Sequence, residues 1–126
     1  MVETVDIRPD EDVRLNPERL TELFNQLGNR GAADVVCRAM EELAARLTKI
    51  EKSFWQGEYQ AVSKGARSLI AIAEQIGLNG LAQVARHVSV TARTEDKTAT
   101  AATVARLLRM GDRSLSAVWN TQNLSG

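Results

Sequence analysis

The chain has 126 residues and a formal net charge of zero from 16 basic and 16 acidic side chains, which suits one domain with its own core and lacks the basic footprint of a nucleic-acid binder. Its single cysteine, Cys37, allows no internal disulfide and points to a reducing, cytoplasmic setting. A run of about 18 apolar residues is absent, as is a basic-then-apolar leader, so neither a membrane span nor an export signal is expected.

Residues 1–14 are acidic and aperiodic, with Pro9 and the cluster Asp10, Glu11, Asp12. They read as a flexible leader to one domain over 15–126. Asn16 and Pro17 form a helix-start signal, because asparagine caps orphan amides and proline has no amide hydrogen to lose. Leu20, Leu23, Phe24 and Leu27 then line one face as far as Gly28. A second helix is predicted from Asn29–Ala32 to Phe54, with Val36, Met40, Leu43, Leu47, Ile50 and Phe54 inward at spacings of three and four. Cys37 falls at the edge of that stripe and is expected half-buried. Glu42 and Arg46 form an i, i+4 pair worth about 0.3 kcal/mol.

Gly57 punctuates the chain, and a third helix runs from Glu58 to Gly77 with Val62, Ala66, Leu69, Ala73 and Ile76 buried. The fourth covers Asn79–Ala92, burying Leu81, Val84, Ala85 and Val88, before the polar run Thr94 to Lys97. The fifth covers Thr98–Trp119, burying Val104, Leu108, Leu115 and Val118 or Trp119. Gly111 interrupts its pattern at a cost of roughly 1 kcal/mol in helix propensity. Trp55 and Trp119, both at helix ends, are expected to close the bundle. No segment alternates with period two. The prediction is an all-α protein, an antiparallel four-helix bundle with a short N-terminal helix capping one end.

The third helix contains Ala66, Arg67, Ser68, Leu69, Ile70, Ala71, Ile72, Ala73, Glu74, Gln75, Ile76 and Gly77. This block resembles the active-site helix of histidine phosphotransfer (HPt) domains. That helix reads alanine, histidine, serine or threonine, leucine, lysine, glycine, two small residues, two variable ones, leucine and glycine. The order of elements is similar too: Asn16 and Pro17 before a short helix, a long helix, and a turn with Trp55 and Gly57, over about residues 16–120. The resemblance implies a bundle of HPt type in bacterial-type two-component phosphorelay signalling. Its implied partner is a response-regulator receiver domain or the dimerisation helices of a histidine kinase.

Three positions depart from the pattern: Arg67 stands for the acceptor histidine, Ile70 for the lysine and Ala71 for the glycine. A guanidinium stays protonated, with five donors and no acceptor, so Arg67 cannot accept a phosphoryl group. The expectation is therefore a non-enzymatic, HPt-like protein-binding module. With Ala66 and Leu69 inward, 100° per residue turns Arg67 outward with Gln60, Lys64 and Ala71. The resemblance makes Gln60, Lys64, Arg67, Ser68, Ile70 and Ala71 the partner-binding set, beside the neighbouring face of the second helix. Arginine forks onto carboxylates and phosphates; the plainer alternative is a solvated helix exterior.

Two other readings stay open. His87, the one histidine, would be the acceptor of an active phosphotransfer protein, and it is placed at the flank or surface of the fourth helix. Alternatively, exposed Ile70, Ala71 and Leu78 would make a homodimer patch on a structural bundle. No catalytic residue, cofactor or metal is expected. One histidine with Thr91 at i+4 makes no metal pair, and no glycine-rich phosphate loop or Gly-x-Ser-x-Gly motif occurs.

Overall fold

The computed structural model describes residues 13–125, with side chains as far as Val118; residues 1–12 and the Trp119 side chain lie outside them. Four helices follow one another: α1 Pro17–Trp55, α2 Tyr59–Gln75, α3 Asn79–Arg93 and α4 Lys97–Ser125. No strand occurs among the described residues. The connections 56–58, 76–78 and 94–96 are too short for anything but a return along the preceding helix. Helix α1 packs on α2 and α4, and α3 packs on the same two, which closes a ring around one core. Among the described residues no helix is long and apolar enough to cross a membrane.

Helix α1 starts where the sequence predicts, with Asn16 Oδ1 accepting from the amides of Glu18 at 2.8 Å and Arg19 at 3.4 Å. It joins the two predicted helices across a kink at Gly28, whose φ of 75° and ψ of 175° are not helical. The arm before the kink has few neighbours, so only Leu23 of its stripe is fully buried, while Phe24 is 43 % and Leu27 48 % exposed. Val13, expected in the leader, packs against the core with Leu15 and Leu20.

The arm rests on the α2–α3 turn. Asn16 N donates to Gly77 O at 2.9 Å and Arg19 Nε to Gln75 O at 2.8 Å. Gly77 has φ of +81°, and Leu78 N donates to Ala73 O while Gly77 N donates to Glu74 O, the Schellman pattern of a helix end. In that pattern the residue after the glycine folds back onto the helix. Leu78, expected exposed, is accordingly buried.

The same pair of bonds closes α1 at Gly57 and α3 at Glu95. Glu95 is the described non-glycine residue with positive φ, at 58°. A Cβ in that region is crowded against the carbonyl, so Glu95→Gly is expected to raise stability by about 0.5–1 kcal/mol. Urea unfolding checks this; a variant less stable than the natural chain would show that the Glu95 side chain matters more than its backbone.

The core is built mainly of Leu43, Ile50, Leu69, Leu81, Leu107 and Met110, all essentially inaccessible. Helix α4 is turned slightly from its expected phase: Leu107, Met110, Gly111 and Ser114 are buried, and Leu108 and Leu115 only half so. Gly111 explains the turn. A Cβ there would stand 2.5 Å from Leu47 Cδ1, so the glycine lets α4 lie close on α1 and is a packing feature, not a weak point. Trp55 does not close the bundle. Phe54, four residues after Ile50, takes the inward position, and Trp55, 100° round, is 76 % exposed with only an edge contact to the Phe54 ring. Cys37 is likewise exposed, not half-buried, being 100°, more than a quarter turn, beyond the inward Val36.

Candidate functional site

Helix α2 carries the candidate surface and is held from both sides. Toward α3, Ser63 Oγ donates to Ser89 O at 3.0 Å, with the two hydroxyls 3.4 Å apart. Toward α1, Gly65 has no side chain to keep the helices apart: a Cβ would meet Ile50 Cγ1 at 2.8 Å. Val62, Ala66, Leu69 and Ala73 fill the face between these contacts. What remains is an outward face of Gln60, Lys64, Arg67 and Ala71, all exposed, with Ser68 half-buried at its edge.

Ile70 does not belong to that face. It is partly buried and packs against the core; seven residues after Ser63, it lies on the side of α2 that Ser63 turns to α3. A self-association patch of Ile70, Ala71 and Leu78 is thus reduced to Ala71, with Leu78 inside and Ile70 turned to the core.

Gln60, Arg67 and Glu74 are seven residues apart and form one row. Both ends of the row reach across to the next element. Gln60 Nε2 donates to Glu95 Oε2 at 3.3 Å, and Glu74 forms an exposed ion pair with Arg86 of α3. Arg67, midway, is exposed with no hydrogen bond or ion pair among the described residues, and so is Lys64. The middle of the face therefore presents two uncompensated cations.

On the α1 side, Gln75 shares a shallow cleft of about 220 Å³ with Asp34, Val35, Arg38, Ala39 and Glu42. The next turns of the same α1 flank carry Arg46 and Lys49. Sequence reasoning pairs Arg46 with Glu42, but no such ion pair forms. Arg46 is half-buried while Glu42 stays in solvent, so the two heads part. Arg46 and Gly65 are the site features that the helical pattern did not reveal. A glycine mid-helix was the available signal, since it costs about 1 kcal/mol there unless a neighbour needs the space.

Ser68 and Lys64 are the side chains of this face with a hydroxyl or amine, and neither is hydrogen-bonded to a base among the described residues. His87 is exposed on α3, and no cluster of His, Cys, Asp and Glu able to hold a metal occurs among the described residues. The arrangement can bind acceptor groups through its cations. Compared with protein-family models, curated proteins and solved structures, the chain matches none.

Proposed function

We propose that the protein is an HPt-like docking module of two-component signalling that binds a receiver domain, or the dimerisation helices of a histidine kinase, without relaying phosphate. The observation that carries this reading is Arg67. It stands exposed and unpaired at the centre of α2's outward face, in the position that the resemblance gives to a phosphoacceptor. There it can fork onto a carboxylate but cannot take a phosphoryl group. The four-helix bundle, its kinked N-terminal arm over the α2–α3 turn, and the rigid mounting of α2 between Ser89 and Ile50 support the same reading. In this reading the protein works in the cytoplasm by occupying or positioning its partner, and Gln60, Lys64 and Ser68 frame the contact.

The test is a fluorescence-anisotropy titration of a panel of receiver domains with the natural chain and Arg67→Ala, with phosphotransfer from a phosphorylated receiver followed in parallel. The expected result is saturable binding by at least one receiver and no label on this chain. Arg67→Ala should weaken binding by about tenfold or more, as truncation of a central arginine does, and leave unfolding within about 0.5 kcal/mol of the natural chain, as for an exposed side chain. Label that disappears in His87→Ala would establish the active-phosphotransfer reading in its place.

A further inference from the structure

We infer that the chain dimerises by exchanging its arm, residues 13–27, with a second copy of itself: once the bend at Gly28 straightens, the arm of each copy caps the α2–α3 turn of the other, and Phe24 and Leu27 of the two copies cover one another. Two glycines build the bend. Gly28, at φ of 75° and ψ of 175°, occupies a backbone region that is essentially reserved for glycine. Gly31 lacks the Cβ that would stand 2.9 Å from the Cβ of Leu27, a separation that a straight helix does not produce, since its Cβ atoms one turn apart are about 5–6 Å from each other. Helix continues on both sides of the bend, so the φ and ψ of one residue separate the bent form from a continuous helix.

The surface that receives the arm is made by the chain itself, which is why the partner is a second copy. Asn16 N donates to Gly77 O at 2.9 Å and Arg19 Nε to Gln75 O at 2.8 Å, while Leu20 and Leu23 reach the core. Exchange remakes each of these contacts between copies and gives none of them up, which makes it a low-cost route to a two-fold dimer.

What exchange adds is cover for an apolar patch continuous with that interface. The large apolar side chains exposed among the described residues are Phe24, Leu27, Trp55 and Val90. The first two stand one turn apart on one face of the arm, next to the bend, at 43 % and 48 % exposure. In the exchanged dimer the two straightened segments cross at this point, so the patch of each copy meets that of the other, as a two-fold interface requires. The outward face of α2 stays open, because Arg67 lies about 15 Å along the helix from the turn at Gly77. Docking there and exchange at the turn are therefore independent.

Sedimentation equilibrium of the full chain, at concentrations reaching about 1 mM, should show monomer and dimer in equilibrium. Gly28→Ala disfavours the bent conformation and improves the continuous helix, so it should lower the dimer dissociation constant about tenfold or more. Phe24→Ser should raise it by a similar factor; circular dichroism checks that both variants fold. Mixing isotope-labelled with unlabelled natural chain separates exchange from side-by-side association: isotope-filtered NOEs from the Arg19 side chain to Gln75 and Gly77 should join a labelled copy to an unlabelled one. A natural chain that stays monomeric at the highest concentration overturns the inference, and so does a dimer in which those NOEs remain within one chain. A monomer with NOEs from Phe24 or Leu27 to residues 1–12 of the same chain would overturn it as well, and would assign the patch to that segment.

Discussion

Leu69→Ala is expected to cost about 2–5 kcal/mol, the range for emptying a close-packed leucine site. Leu69 is inaccessible to solvent and lies directly beneath the outward face of α2, one position from Ser68 and two from Arg67. Its neighbours on all sides belong to helices pinned by short turns and by the Ser63–Ser89 and Gly65–Ile50 contacts, so the space cannot collapse freely. Leu27→Ala provides the comparison. Leu27 also occupies an apolar stripe position, but it is 48 % exposed on the arm, and its truncation should cost less than about 1 kcal/mol at roughly 25 cal/mol per Å² of area still buried. Urea unfolding of the two variants measures the contrast. Equal losses would mean that the arm is as closely packed as the bundle, and the packing described for α1 would be wrong.

Gly77→Val is expected to cost about 2–5 kcal/mol, summed from left-handed backbone strain of about 1–2 and overpacking of about 1–3. A β-branched side chain at φ of +81° is strained in itself, and its Cβ would also stand 3.0 Å from the Cβ atoms of Asn16 and Arg19 and 3.1 Å from the backbone nitrogen of Asn16. Gly57→Val isolates the first contribution. Gly57 closes α1 with the same hydrogen-bond pattern at φ of +72°, but a Cβ there meets nothing within 4 Å. The excess loss at Gly77 therefore measures how firmly the arm sits on the α2–α3 turn. Thermal unfolding of both variants would settle it: no excess would mean that the arm moves aside at little cost and does not clamp the end of the candidate helix.

Helix-forming stretches and their limits were legible because they depend on local chemistry. Asn16, Pro17, Gly57 and Gly77 act through their own backbone and a few adjacent amides, and the spacing of Leu43, Leu47 and Ile50 or of Leu81, Val84 and Val88 is intrinsic to one helix. The outward placement of Gln60, Lys64, Arg67 and Ala71 followed from the same periodicity once Ala66 and Leu69 were inward. Ile70 and Leu78 were misplaced for a common reason. A helical wheel divides a helix into two halves, whereas α2 is contacted by α1 and α3 on separate sides and turns back at its end, which leaves a narrower free face than half the circumference.

Sequence by itself determined an all-helical chain, the positions of its turns, and the presence of a cation without nucleophilic capacity at the centre of the third predicted helix. Those properties reside in single residues or in one helical period. The tertiary structure decided which of several apolar side chains reach the core: Leu78 does, and Trp55 does not. It also turned Gly65 and Gly111 from apparent flaws into points of close helix contact. Finally, it half-buried Arg46 while leaving Glu42 in solvent, so the pair that the i, i+4 spacing predicts does not form, because burial is set by the packing of neighbouring helices and not by the nearest opposite charge on the same helix.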